Sequence, residues 1–304
     1  MPPRVSIITA AFNAGAYIGQ TIESVSRQTF TNWEYMIVDG GSTDDTVEII
    51  KRYTSDSRIK LQVDTRRGRC FARNTGFAHS TGELIANIDA DDLWRPDKLA
   101  RQVALLDAES AAGFVYTGVE LIDADGKPLR RGKAVDIRQR PLTHLLTKGN
   151  PITHSSTLFR RAAFPAGRYQ DEDIVEADEL IVYLRALLEF QTVGFIPEPL
   201  TLYRLHGQSG LAKISIETFR REYQRGLDRF FESPLLPPGT LQRRPAALGT
   251  MYYLSAAVGI SYGLELRKCA LYLLKSIWLR PAETHRCVLQ AVRMLRSLFR
   301  KRPR

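Results

Sequence analysis

Four short runs, Val5–Phe12, Trp33–Val38, Ile59–Val63 and Leu84–Ile88, are nearly continuous in apolar and β-branched residues. The stretches between them place apolar residues at helical spacing, as Ile18, Ile22 and Val25 do. Runs without polar alternation suit strands covered on both faces, and a repeating strand–helix rhythm builds a parallel, doubly wound sheet. Further helices are expected from Thr43 or Asp44, either of which can cap, through Tyr53, and over Gly68–His79. In such sheets ligands settle beyond the carboxyl ends of the strands. Here those ends are Phe12-Asn13, Asp39 and Asp89–Asp92, so three polar clusters should meet along one edge.

The third cluster makes the strongest chemical demand. Asp89, Asp91 and Asp92 follow directly on a buried-type strand. Bunched carboxylates repel one another and lose hydration unless a cation is shared among them. Oxygen ligands at that density suit a hard divalent ion, Mn²⁺ or Mg²⁺, of the kind shared with substrate phosphates. Taken alone, the segment reads equally well as an Asp-rich turn before the helix that Pro96 opens over Asp97–Glu109.

Downstream the rhythm changes. Phe114–Ile122, a turn at Asp123–Gly126 and Pro128–Arg131 read as a hairpin, His154–Arg160 and Thr192–Ile196 as strands, and Ala177–Glu189 as a helix. The Pro-rich break Ser233–Gly239 sets the expected boundary between a domain at 1–232 and a helical region at 233–304. Three helices are expected there, Pro245–Leu264, Leu266–Leu279 and Ala282–Phe299. Ala246–Leu264 is free of charge over 19 residues, but its glycines and serines favour a closely packed helical hairpin over a membrane span.

The net charge of +10 sits in one place. Residues 267–304 hold 11 Lys or Arg against the single acid Glu283, so residues 1–266 are balanced. In the last helix Val288, Val292, Leu295 and Phe299 share one face, with Arg286, Arg293 and Arg300 on another. That pattern suits an anionic membrane surface as partner of the basic C-terminal helices. Nucleic acid is not expected, since the basic residues lack interleaved aromatics for base stacking. Three cysteines without C-x-x-C spacing and no leader pattern at the start point to a reducing, cytoplasmic setting, peripheral on the inner face of the membrane.

Several blocks occur in order: Val5–Asn13, Ile37–Asp44, Ala72–Gly76, Thr81–Glu83, Ile88–Asp92, Pro151–Arg160 and Leu202–His206. Together they resemble family 2 glycosyltransferases of the GT-A fold, over roughly residues 4–210. The resemblance implies an α/β domain with a mixed, mainly parallel sheet flanked by helices, to which the all-helical C-terminal region is appended. It implies an inverting transfer of sugar from a UDP-linked nucleotide-sugar donor to a hydroxyl of a glycan or lipid-linked acceptor in envelope polysaccharide synthesis.

The roles it implies are these. Phe12, where relatives usually have Tyr, stacks on the base, and Asp39 accepts from it; Gly40 stands where a second acid is commoner. Arg73 serves the diphosphate, and Arg66, Arg67 and Arg69 add positive charge nearby. Asp89 faces the ribose, Asp91 holds the metal, Asp92 supports or caps, and His206 lies near metal or phosphates. The family's Glu-Asp pair, counted back from Arg185, falls on Asp178 and Glu179 in reversed order. Glu179 is taken as the base, with Asp178 as its alternative, and a helix-capping acid pair remains open. Trp94 is expected under the following helix, and the role of His154 is open. A non-catalytic nucleotide-sugar-binding scaffold is the rival from another class. A sugar-phosphate nucleotidyltransferase is disfavoured, because Asn13–Ala16 offers no Gly-rich phosphate loop with a basic residue.

Overall fold

The computed structural model describes residues 2–66, 68–132, 134–174, 178–206, 215–262, 265–289 and 291–292. Arg67, the side chain of Asp178, Gly263, Leu264, and 293–304 with Arg293, Leu295, Phe299 and Arg300 lie outside the described residues.

Strands β1 (Val5–Ala11), β2 (Trp33–Asp39), β3 (Ile59–Val63) and β4 (Leu84–Asn87) pair in parallel, in the order β3-β2-β1-β4. Every residue of β2 and of β4 is buried, which is why these runs lack alternation. The helices between them, α1 (Ile18–Ser26), α2 (Thr46–Lys51) and α3 (Arg69–Ala78), fall where periodicity placed them. Because β2 and β3 lie on one side of β1 and β4 on the other, strand order reverses at β1. A crevice at such a switch point is where ligands bind in sheets of this type.

The sheet continues through β5 (Leu93–Trp94), β6 (Ala112–Ile122), β7 (Pro128–Arg131), β8 (Thr157–Arg160) and β9 (Thr192–Arg204), with α4 (Lys98–Ala108) after β5. Its far half runs β4-β8-β6-β9-β5, with β7 on β6. β5, β7 and β8 are antiparallel to their neighbours, so the sheet is mixed and mostly parallel. The hairpin of β6 and β7 matches its expectation, with Gly126 at φ 84 closing the turn.

Two expected strands are corrected. His154–Ser156 forms a 3₁₀ turn and only Thr157–Arg160 is strand. Ser156 Oγ donates to the Thr153 carbonyl and Thr157 Oγ1 to that of His154, local bonds that compete with a ladder. Conversely, β9 continues past Ile196 despite Pro197 and Pro199. The prolines sit at an irregularity opposite Gly118, where a Cβ would meet the Pro197 carbonyl at 2.4 Å.

The chain divides into two units. The first comprises Met1–Pro141, Pro151–Val175 and Arg185–Gly207, and holds the whole sheet. The second comprises Leu142–Asn150, Glu176–Leu184 and Gln208–Arg304. It contains α7 (Ile216–Phe231), α8 (Arg244–Tyr262) and α9 (Leu266–Leu279), and residues 284–289 and 291–292 are helical. The helix α5 (Pro141–Lys148) lies largely in the second unit, and α6 (Asp178–Phe190) has residues in both. The division thus places α7, before residue 232, with the C-terminal helices. Ala256, Ile260, Cys269, Tyr272, Leu273 and Cys287 form this unit's buried cluster. Among the described residues no helix is long and apolar enough to cross a membrane. Cys70, Cys269 and Cys287 are buried.

One buried acid ties the sheet's amino-terminal edge together. Glu34, 4 % exposed at the start of β2, accepts from Ser6 Oγ on β1, Lys60 Nζ on β3 and the Thr81 amide before β4, at 2.8, 2.8 and 2.6 Å. Burial pushes its carboxyl up, but the donors outweigh that and hold it below the ordinary value. Glu34→Ala should therefore destabilise the fold by about 2–3 kcal/mol in urea denaturation at neutral pH, because charged and backbone donors lose their acceptor. A depressed pKa gives stability that is present above the unfolded value of about 4.3 and lost below it, so the deficit should shrink in strong acid.

Candidate active site

After β4 the chain turns tightly from Ile88 to Asp92, and neighbours on two sides fix that turn. Thr9 Oγ1 on β1 donates to the Ile88 carbonyl at 2.7 Å. Thr21 Oγ1 on α1 reaches the carbonyls of Ala90 and Asp92 at 2.9 and 3.0 Å. The three aspartates then point to different partners.

Asp89 meets Arg73 Nη2 of α3 at 2.8 Å, and Arg73 is itself buried. Asp92 is buried and accepts from Ser155 Oγ at 2.5 Å and from the Arg204 amide at 2.9 Å. It is an anchor for the turn; the cap position of α4 belongs to Asp97. Asp91 Oδ2 lies 2.8 Å from His206 Nε2.

Two residues not singled out from the sequence hold this arrangement. Ser155 donates to Asp92 while its hydroxyl accepts the Asp89 amide at 3.0 Å, so one side chain spaces two of the acids. Arg204, 1 % exposed, donates to the carbonyls of Asp91 and Ala124 and to Gln20 Oε1, at 2.7, 2.7 and 2.8 Å. Its guanidinium stacks 4.8 Å from the Tyr17 ring, whose centroid is also 4.8 Å from that of His206. Both lie in blocks quoted for the resemblance, which was the only sequence signal for them. His154 gains a place: Nε2 is 3.2 Å from the Tyr169 hydroxyl, which accepts from Asn87 Nδ2 at 2.7 Å. Trp94 is buried, donates to the Ser155 carbonyl and lies under the Lys98 ammonium of α4 at 3.9 Å, as expected for packing.

The electrostatics follow from this geometry. Burial raises Asp89, but Arg73, His154 and Arg69 outweigh it and hold the carboxyl below its ordinary value. Burial and the Asp89 charge raise Asp91 against the opposing bond from His206. Burial, Asp89 and Asp91 push Asp92 well up. The cluster thus stores like-charge repulsion that a bound cation would relieve. Among the described residues no group of three or more His, Cys, Asp or Glu side chains converges as a closed metal cage. Asp91 and His206, 2.8 Å apart, could offer one oxygen and one nitrogen to a divalent ion that keeps substrate phosphates and water as its other ligands.

The ends of β1 and β2 lace into a floor beside this turn. Asn13, at φ 48, accepts the Thr43 amide and donates its own to Ser42 Oγ, each at 2.9 Å. Asp44 accepts from the Gly15 and Thr46 amides, but the cap position of α2 belongs to Asp45, one residue after the expected Thr43 or Asp44. Phe12 is 63 % exposed, and a Cβ on Gly40 would lie 3.7 Å from its ring, so the residue after Asp39 leaves that face open. Asp39 is buried, with Oδ1 accepting the Gly41 and Ser42 amides at 3.0 and 2.9 Å and Oδ2 the Ser42 hydroxyl at 2.5 Å. It shapes its own turn while keeping lone-pair capacity. Arg66 is engaged by Asp64 at 2.6 Å, and Arg69 is half-buried, its charge helping to depress Asp89, rather than simply solvated. Glu179 and Asp178 open α6 within the second unit, and Glu179 is half-buried.

A mixed, mostly parallel sheet flanked by helices, with an acidic turn after β4 and an arginine paired to its first aspartate, has the layout of the GT-A fold. The chain belongs to glycosyl transferase family 2, whose sequence profile matches residues 6–167. It is 40 % identical over 129 residues to TuaG of Bacillus subtilis, a protein assigned by name to teichuronic acid biosynthesis, covering 42 % of this chain and 51 % of TuaG. It is 38 % identical over 120 residues to the Escherichia coli UDP-Glc:alpha-D-GlcNAc-diphosphoundecaprenol beta-1,3-glucosyltransferase WfgD, covering 39 % of this chain and 47 % of WfgD. The chain spans about half the length of the curated relatives it matches. The crystal structure of S. aureus TarS 1-349 in complex with UDP-GlcNAc superposes with a TM-score of 0.68 at 18 % identity, over 92 % of this chain and 82 % of that one. Mannosyltransferase PcManGT from Pyrobaculum calidifontis, in complex with GDP-Man and Mn2+, gives 0.56 at 22 %, over 99 % and 89 %. The expected fold class holds.

Asp91→Asn should raise the thermal midpoint in metal-free buffer at neutral pH, because it removes a like charge while keeping an acceptor for His206. A carboxyl with a raised folded pKa loses stability as pH rises from its unfolded value of about 3.9 through the folded one, so the variant's advantage should shrink as pH falls through the raised value and vanish near the unfolded one. Melting curves across that range, without and with Mn²⁺, read both effects.

Proposed function

We propose that this chain is a metal-dependent inverting glycosyltransferase. It would move a sugar from a UDP-linked nucleotide-sugar to a hydroxyl of a glycan or lipid-linked acceptor in cell-envelope polysaccharide synthesis. The observation that carries the reading is the pairing of Asp91 with His206 and of Asp89 with Arg73 on one turn at the switch point of the sheet. The names of the relatives support the substrate class: WfgD is named for UDP-Glc and a diphosphoundecaprenol acceptor, and TarS was crystallised with UDP-GlcNAc.

On this reading Phe12 supplies the stacking face for the base and Asp39 the acceptor beside it. Arg73 and Asp89 together present a donor to phosphate and an acceptor to ribose, each holding the other's orientation. Asp91 and His206 would hold Mn²⁺ or Mg²⁺, and the bound ion supplies neutralisation of the leaving diphosphate. PcManGT, with Mn2+ in its complex, supports that choice. Glu179 takes the proton from the acceptor hydroxyl as its oxygen bonds to the anomeric carbon. The bond from that carbon to the diphosphate oxygen breaks on the opposite side, so the configuration inverts. Asp178 is the alternative base, one position earlier on the same helix start. The setting proposed is cytoplasmic and peripheral, with the basic C-terminal region against an anionic membrane; the charge of 267–304 supports it.

Hydrolysis of UDP-sugars and transfer to a lipid-linked acceptor, with and without Mn²⁺, tests the reading. Glu179→Gln should lower transfer about 10²–10⁴-fold with UDP affinity unchanged. Asp178→Asn should have the smaller effect. Wild-type rates in both variants would remove these two acids from the mechanism, UDP binding without any transfer by the wild type would leave a nucleotide-sugar-binding scaffold, and activity that persists in EDTA would remove the metal.

A further inference from the structure

Helix α9 has two faces of different kinds. One is buried: Cys269, Tyr272, Leu273 and Ser276 enter the second unit's core. The other carries Leu271, Leu274 and Trp278, at 49, 64 and 82 % exposure, which recur at the spacing of one helical stripe. Arg267, Lys268 and Lys275 are exposed on the same side by helical geometry. No Asp or Glu occurs between Leu266 and Ala282. In the helix that follows, Val288 and Leu289 are exposed as well.

An outward Trp at this exposure is unusual on a surface meant for water, and with the two leucines in register with it forms a patch. Trp is the side chain best suited to the boundary between headgroups and acyl chains, where its ring is buried and its N–H stays wet. Cations interleaved with an apolar stripe on one helix are the signature of a segment lying in the plane of an anionic interface. A second copy of this chain docking by the same stripe would bring Arg267, Lys268 and Lys275 up to the cations of the other copy, a like-charge contact. Since no described helix can cross a membrane, the stripe fits lying on one.

We propose that α9 is the face by which the chain docks on an anionic phospholipid bilayer, with Trp278 seated at headgroup level one turn beyond Leu274 on the stripe that Leu271 begins. The inference rests on the reading of a lipid-linked acceptor, and it places the contact on α9 rather than on the last helix alone. Docking there would hold the enzyme at the surface in which such an acceptor is anchored.

Trp33 and Trp94 are buried, so Trp278 dominates any lipid-dependent change in emission. Full-length protein is mixed with vesicles of phosphatidylcholine alone, or of phosphatidylcholine with phosphatidylglycerol. Emission should move to the blue only with phosphatidylglycerol, and Trp278→Phe should abolish the shift. The pair Leu271→Ser with Leu274→Ser, and separately Arg267→Gln with Lys275→Gln, should each weaken vesicle binding by about tenfold or more. UDP binding in Mn²⁺, measured by calorimetry, should be unchanged in all of them, which reports intact folding. No blue shift in wild type, or vesicle binding unaltered in both pairs, would overturn the proposal. A lipid-free blue shift that grows with protein concentration would overturn it too, because the stripe would then belong to a second copy. Wild type that docks on phosphatidylglycerol but binds no UDP would support the docking face while removing the donor reading.

Discussion

Three carboxylates within four residues are held close against their mutual repulsion, and the molecule around them is arranged to permit it. Asp92 is driven up in pKa and fixed by Ser155 and the Arg204 amide, while Arg73 draws Asp89 the other way. Asp91 is left between them with a neighbouring imidazole as partner. Each acid therefore has a distinct environment, although the three are almost adjacent in sequence. Separating like groups by environment is how one short segment can anchor, orient and ligate at once.

That separation depends on residues far away in the chain. Thr9 and Thr21 clamp the turn from β1 and α1, Ser155 comes from a 3₁₀ turn, and Arg204 from the end of β9. Long-range side-chain bonds of this kind rigidify a site before any ligand arrives, so less of the binding energy is lost to ordering. The floor made by Asn13, Ser42 and Asp44 follows the same logic, since loop side chains satisfy backbone groups that no ladder reaches.

Much of this was legible beforehand, for specific reasons. β1 to β4 and the helices between them announce themselves because buried parallel strands must be apolar throughout and their helices must repeat at the helical period. The aspartates, Arg73 and His206 were legible through ordered blocks. The turn at His154–Ser156 was not, since short apolar-flanked polar segments read alike as strand or turn until their local bonds are known. Nor was the continuation of β9 through Pro197 and Pro199, which depends on a glycine on the opposite strand. Glu34 looked like an ordinary strand residue, and only Ser6, Lys60 and Thr81, brought from three other segments, make it a buried tie.

The amino-acid sequence by itself determined the sheet's rhythm, the position of the acidic turn at a strand end and the concentration of positive charge after residue 266. These are local properties, set by periodicity, by side-chain type and by composition. Only the tertiary structure decided that Asp92 is an anchor and Asp91 the partner of His206, that Arg204 is a buried brace, and that α9 turns Trp278 outward. Those assignments depend on which distant groups are within hydrogen-bond reach and which helix face finds a neighbour, and the chain acquires both only when it folds.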